Sequence, residues 1–477
     1  MSAVRSRRWA PYQRLSMAHI ILWNSYEFTR HSVVRPLGPH QLASWLNTQG
    51  YSVKVIDFSS LMTTSELVSI TKKHIDKDTL AIGVSNTFWD SEQSKTIEPD
   101  WVSRARGFLE NLFPKLDWLL GGSRNSYLKL DLKLKWKVFA GYSEDNLLKY
   151  LDERSGKVKF RKPFDIQCNK GHYLDGMHIQ SNEVLPIELS RGCQFKCRFC
   201  RFAELGKKKN TYIRDYALMK DEFISNYERF GTTRYMMMDD TANESIEKLE
   251  ALAKISTELP FKLEWVGYVR LDLIGNKPYT ADLLLDAGLR ACYFGIESFH
   301  PVASQVVGKG WNGKHGKDFL LKVKDQWGDR VAIEVGLIAG LNGESERDLD
   351  QTQQWCFDNN IHSWRWTPLS ISRHPEQLWK SEFDLEYEKY GYRFPEGETY
   401  NWISDDWTYA KAVDKANALN EERRQFVHLN PWHAAFVASL GYSFDELFTK
   451  KNHELDYDTL QSKTKTFLQN YIKAQLS

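Results

Sequence analysis

Two successive alternations of strand-like and helical patterns predict an α/β chain built on two parallel sheets, and a change of texture past residue 375 marks where the second ends. The first alternation, over 17–152, suits a doubly wound, Rossmann-like sheet. The second, over 185–375, suits a partial (β/α)6 barrel, whose loops after the strands carry the chemistry. A length of 477 residues is more than one ordinary domain needs, in keeping with this division.

The opening residues 1–16 read as a loose basic tail, because MSAVRSRRWAPYQRL has no apolar segment of the secretory kind. HIILWN (19–24) is a continuous apolar run, as expected of a buried strand. GPHQLASWLNTQG (38–50) places Leu42, Trp45 and Leu46 at helical spacing and stops at Gly50. YSVKVIDF (51–58) alternates like a strand, SELVSITKKHI (65–75) reads as a helix, and TLAIGVSN (79–86) as a third strand. DWLLGG (117–122) and WKVFAGYSEDNLLKYL (136–151) continue the rhythm, and 153–184 reads as a connector.

Six strand candidates follow: LPIELS (185–190), RYMMMDD (234–240), KLEWVGYVR (262–270), ACYFGIES (291–298), RVAIEVGLIAGL (330–341) and HSWRWTPLS (362–370). Helical patterns lie between them, as in 221–231, 245–256, 281–288 and 349–360. Residues 376–477 are aromatic and charged, with helical patterns at 405–427 and 443–473, and form a mostly helical C-terminal appendage. Its Trp379, Trp402, Trp407 and Trp432 are expected to close the barrel mouth.

Composition narrows the function. With 42% hydrophobic and 26% charged residues the chain has ample core material, and 17 tryptophans exclude a largely disordered protein. Lys plus Arg (64) nearly equals Asp plus Glu (62), so the net charge of +2 indicates no nucleic-acid partner. No stretch reaches the ~20 apolar residues of a membrane span. Six cysteines are too few for a disulfide framework, and their clustering points to metal or redox use in a reducing compartment, with the cytoplasm as the expected location.

Three of the six, Cys193, Cys197 and Cys200, are spaced CxxxCxxC directly after a predicted strand. A structural zinc ion would want four protein ligands, and Cys168 and His172 lie upstream as candidates to complete it. An iron–sulfur cubane on three thiolates instead keeps one iron without a protein ligand, so a missing fourth cysteine becomes useful. Cys292 and Cys356 fall in apolar patterns and read as small core residues. LGKKKN (205–210) reads as a solvent-facing charge run.

CxxxCxφC with an aromatic φ, here Cys193, Cys197, Phe199 and Cys200, resembles the signature loop of the radical S-adenosylmethionine (SAM) enzymes. The resemblance implies that the three cysteines hold a [4Fe–4S] cluster whose open iron chelates SAM. Electron transfer then cleaves SAM to methionine and a 5′-deoxyadenosyl radical. GLIAGLNGES (336–345) is similar to the family's adenine-holding motif, which implies backbone contacts from Gly336, Ile338 and Gly340. GIES (295–298) is similar to the fourth-strand motif and makes Glu297 a SAM contact, or alternatively a structural partner of Arg270. Asp239 and Asp240 end the second barrel strand where relatives meet the SAM amino group, although the usual Gly-Gly-Glu is absent. Arg270 is the candidate partner of the SAM carboxylate.

PLGPHQLASWLNTQGYSVKVIDF (36–58), LLGG (119–122) and AGYSEDNLLKYL (140–151) resemble the cobalamin-binding domains that precede some radical SAM barrels. The lower-ligand motif Asp-x-His-x-x-Gly is absent: FTRHSVVRPLG has His31, but Thr29 and Val34 replace Asp and Gly. Some relatives of this subgroup bind cobalamin without a histidine and others bind none, so cobalamin stays open. The resemblance implies hydrogen abstraction from an unidentified substrate, a small molecule or peptide, with methyl transfer if cobalamin binds. It also implies an external one-electron reductant such as flavodoxin or ferredoxin. The competing reading is a zinc- or cluster-stabilised module that binds RNA or protein without turnover.

Overall fold

The computed structural model describes residues 18–27, 32–89, 98–122, 136–157, 161–202, 204–207, 212–309, 313–375, 377–422, 431–449 and 457–477. The basic tail at 1–16, His31 and residues 208–210 of the basic run lie outside them.

Short apolar runs become strands β1 (Ile20–Trp23), β2 (Val53–Ile56), β3 (Ala81–Ser85) and β4 (Asp117–Gly122), all largely buried, and the exposed edge strand β5 (Lys137–Ala140). They pair in parallel in the order β2-β1-β3-β4-β5, a doubly wound sheet. Helices Leu37–Thr48, Thr64–Lys73 and Asp100–Leu112 make crossovers between these strands, and Glu144–Ser155 follows β5. The third was not foreseen; it buries Val102, Ala105 and Leu109 at helical spacing.

The second sheet is also all parallel. It runs in simple sequence order through β6 (Leu185–Ile187), β7 (Arg234–Met237), β8 (Glu264–Val269), β9 (Leu289–Glu297), β10 (Ala332–Ala339) and β11 (Ser363–Pro368). No pairing joins β11 back to β6 among the described residues, so the barrel is partial, as expected. β6 stops three residues earlier than its apolar pattern, because Glu188–Ser190 already turn into the cysteine loop.

The open edge is protected. Asn420, on helix Tyr409–Glu422, donates from Nδ2 to the carbonyl of Trp366 and accepts from its N–H at 2.8 and 3.0 Å. One side-chain amide thus imitates a neighbouring strand.

The chain's end does more than cover the mouth. Trp402 and Trp407 are buried, with their indole N–H groups on the carbonyls of Leu369 and Glu344. Helix Pro431–Ser439 joins a core with Met236, Val266, Ala291 and Ala332 of the barrel and Ile21, Trp23 and Ile82 of the first sheet. Its Ala434, Ala435 and Ala438 let two sheets approach one helix closely.

One buried cation fastens these parts. Arg35 is fully buried and reaches Asp57 after β2, both carboxylate oxygens of Glu183 in the connector, and the carbonyl of Met177 at 3.1 Å. Its guanidinium lies over the rings of Phe58 and Tyr471, 4.9 and 5.2 Å from their centroids. Removing one member of such a set strands the others without compensation. Arg35→Leu is therefore expected to cost about 3–5 kcal/mol in denaturant unfolding, and a loss below 1 kcal/mol would contradict the fastening role.

Candidate active site

The cysteine loop is held from beneath. Asp239, buried at the end of β7, accepts from the Leu189 N–H and the Ser190 hydroxyl, each at 2.7 Å, and pairs with Lys248. Lys248 also donates to Ser190 and Glu244, at 2.8 and 3.2 Å. Arg191 grips both oxygens of Glu188 at 2.9 Å and Glu144 of the first domain at 2.6 Å. Gly192 has φ +91, and a Cβ there would stand 2.5 Å from the carbonyl oxygen of Glu204, so the turn requires glycine. The loop then folds back, with the Cys193 N–H on Glu204 and the Cys200 N–H on Cys197.

Cys193 is buried; Cys197 and Cys200 are half-buried. Burial raises the Cys193 thiol above its ordinary range and pushes Cys200 up to about 12. Thiols this reluctant to ionise bind as thiolates only to a cation that coordinates sulfur. Among the described residues, no three His, Cys, Asp or Glu converge closely enough for a single metal ion. A polynuclear cluster has no such requirement, since its thiolates bind different irons. The auxiliary zinc ligands are also lost: the His172 ring contacts Glu222 and Asn169 at 2.8 and 3.1 Å, and Cys168 is exposed beside Asp165.

Arg270 donates from Nη1 to the Cys197 sulfur at 3.2 Å. Its fork is occupied by Asp272, at 3.0 and 2.6 Å, and its plane lies 3.9 Å from the Phe195 ring centroid. The Arg270–Glu297 pairing, the alternative to a SAM contact, is thus replaced by two others. Glu297, at φ +70, pairs with Lys309 at 2.7 Å, and Lys309 stands 5.7 Å from the Phe199 ring centroid. Asp239 spends its oxygens on the loop, whereas Asp240 lines the open space. Burial and the carboxylates of Asp239, Glu244 and Glu188 push Asp240 up to about 7.

The 336–340 segment divides. Ile338 lines the cavity. A Cβ at Gly336 would stand 2.0 Å from the Tyr293 hydroxyl, so that glycine makes room for a tyrosine. Gly340, at φ +97, packs against Trp402 and Ala412. The close backbone approaches foreseen there are to the protein's own side chains.

All three cysteines, Phe199, Asp240, Arg270, Glu297 and Ile338 face one cavity of about 1470 Å³. Its opposite wall is made by strand ends of the first sheet, including Gly83–Ser85, Gly121–Gly122 and Gly141–Ser143. Ligands of doubly wound sheets bind at such ends. Sequence reading missed Lys309, Asp272 and Lys248. The only signal for Asp272 was its place two residues after Arg270.

Comparisons with known proteins agree with this architecture. Residues 187–356 match the model of the Radical SAM superfamily. The chain is 24% identical over 351 residues to "Uncharacterized methyltransferase PH0819" of Pyrococcus horikoshii, covering 66% of this chain and 72% of that one. It is also 24% identical over 292 residues to the hopanoid C-3 methylase of Methylococcus capsulatus, covering 57% of this chain but only 53% of that protein. Among solved structures, the radical SAM methyltransferase TsrM from Kitasatospora setae, with cobalamin and a [4Fe-4S] cluster bound, superposes with a TM-score of 0.64 at 14% identity, covering 94% of this chain and 100% of that one. The cobalamin-dependent radical enzyme OxsB, with aqua-cobalamin bound, gives 0.61 at 11% identity, over 97% of this chain and 72% of that one. At these identities the likeness is one of fold.

Asp240 supplies a pH prediction. Its folded-state pKa lies above the unfolded value, so the native state binds the extra proton and stability falls as pH rises from about 4 to about 7. Asp240→Asn in the cofactor-free protein is expected to raise the melting temperature at pH 8 and to lose that advantage near pH 5. An equal effect at both pH values would count against a raised pKa.

Proposed function

We propose, for a radical SAM enzyme whose family domain spans 187–356, that Cys193, Cys197 and Cys200 hold a [4Fe–4S] cluster and that the reaction is methyl transfer to an unidentified substrate. One observation carries this reading: three thiols on one pinned loop open onto a cavity whose other wall is the ligand-binding edge of a doubly wound sheet. The names of the two sequence relatives, a methyltransferase and a methylase, support the reaction class.

The residues fit both cofactors. A soft donor set of three thiolates suits iron and sulfur. Phe199 and Arg270 flank the cysteines, and the Arg270 N–H steadies negative charge on the Cys197 sulfur. Burial first, and then the carboxylates of Asp239, Glu244 and Glu188 crowded around it, keep the proton on Asp240. A cationic ligand relieves that crowding, and SAM carries both an ammonium and a sulfonium. Glycine and serine at the strand ends leave room on the first domain for a bulky group, and cobalamin is the one that both structural neighbours hold. When bound, the cluster supplies the electron for SAM cleavage and cobalamin supplies a methyl carrier. The protein itself orients the ligands and keeps water away.

This reading requires an external one-electron donor, such as flavodoxin or ferredoxin, and a reducing cytoplasm. No helix among the described residues is long and apolar enough to cross a membrane.

Anaerobic reconstitution tests it. Wild type and Cys292→Ala should hold roughly four irons and absorb broadly near 400 nm, and Cys193→Ala, Cys197→Ala and Cys200→Ala should each lose most of that iron. With SAM, cobalamin and a reductant, S-adenosylhomocysteine is the expected product of turnover. Iron retained in all three cysteine variants, or stoichiometric zinc in its place, would overturn the reading.

A further inference from the structure

Arg365 is an anomaly in its strand. Its neighbours Trp364 and Trp366 are buried against the barrel's helices, and alternation turns Arg365 to the inner face, where it lines the cavity. The side chain is exposed there and makes no hydrogen bond or ion pair with any described residue. A guanidinium on a largely apolar cavity wall ordinarily finds a carboxylate or carbonyl. The register supplies the surroundings. Gly295, Gly336 and Arg365 stand side by side across β9, β10 and β11. The missing side chain at Gly336 is filled by the Tyr293 phenol, which reaches across β10 towards the Arg365 strand.

The remaining walls are aromatic and come from three parts of the chain. Tyr26 stacks on Trp432, with centroids 4.4 Å apart and planes at 11°, and Phe88 sits 4.9 Å from the same indole. Tyr268 lies 5.5 Å from Tyr293. All of them line the same cavity as Arg365. Although Arg365 is on β11 and the cysteine loop follows β6, curvature brings the two to one mouth. Arg201, next to Cys200, donates to the Ser370 hydroxyl and carbonyl just past β11, at 2.9 and 2.8 Å, so a group held by Arg365 shares the cavity with the three thiols.

We infer that Arg365 and the aromatic wall form the substrate's anchoring subsite, and that the substrate is an oxyanion, a carboxylate or phosphate ester, joined to a flat apolar body. The inference rests on the proposed enzymatic reading, because that reading gives the cysteine loop and the glycine- and serine-lined ends of β3, β4 and β5 to the cofactors and leaves Arg365, with the Tyr26, Phe88 and Trp432 stack, to the substrate. Arg365 offers the bidentate fork that carboxylates and phosphates match. The rings of Tyr26, Phe88 and Trp432 offer faces for a planar group. The Tyr293 hydroxyl gives a further donor beside the anion.

Binding of model probes tests this without turnover. The reconstituted protein, loaded with cobalamin and SAM, is titrated calorimetrically with 2-naphthoate, 2-naphthyl phosphate and the uncharged 2-naphthamide. At least one oxyanion is expected to bind about tenfold tighter than the amide, the better one identifying the acid group. Arg365→Gln should erase that preference and Arg365→Lys should keep part of it. Trp432→Ala should weaken all three probes alike. Iron content and absorbance near 400 nm, measured on every sample, show that the protein is assembled. If those signals fail in wild type while the cofactor-free protein keeps the oxyanion preference, the cluster reading falls and the subsite stands. Equal affinities in wild type, a preference that survives Arg365→Gln, a preference abolished by cofactor loading, or no probe binding at millimolar concentration would overturn the inference.

Discussion

The Asp239–Lys248 ion pair is the constraint on which the cysteine loop depends. Both groups are buried, and a charge removed from water is tolerated only when its partners are placed around it. Here two partners belong to the loop, the Leu189 amide and the Ser190 hydroxyl, and a third, Glu244, holds the loop in turn through the Gln194 N–H. The loop cannot move without stranding a charge, so its three cysteines are given fixed positions. Rigidity of this kind is what cofactor sites need from their supporting residues.

The same logic unites the chain at a larger scale. Arg191 ties the loop to Glu144 of the first domain, and Arg35 ties that domain to the connector and the final helix through Glu183 and Tyr471. The cavity lies between the parts so joined. Neither wall of it is complete alone, which explains why helix Pro431–Ser439, apolar all round, shares one core with both sheets.

Much of this was legible in the sequence. Eleven parallel strands follow from apolar runs bounded by helical patterns, and the CxxxCxφC spacing names its own chemistry. What stayed hidden is long-range. Nothing in YVRLD says that Arg270 is spent on Asp272 and a cysteine sulfur, and Lys309, twelve residues past Glu297, carries no motif. The glycines of 336–340 were visible but their reason was not, since a missing Cβ is equally useful to a ligand and to Tyr293 or Trp402. Arg365 was available to a careful eye, as a charge between two tryptophans in a buried strand. Helix Asp100–Leu112 has only ordinary amphipathic spacing, with no motif to mark it off between the strands on either side.

An incomplete barrel carries a hazard that a closed one avoids. The unpaired rim of β11 is a template on which another chain could build a strand, and self-association through such rims is a common failure of open sheets. Asn420 answers it by satisfying both peptide groups of Trp366 with a single amide. The gap beside β11 can therefore persist in a crowded cell without recruiting copies of the same protein. What covers the gap is side chains and a helix rather than a strand: Arg201 of the cysteine loop spans it to Ser370 and Asp384, so a movement of that loop is felt at the far edge of the sheet.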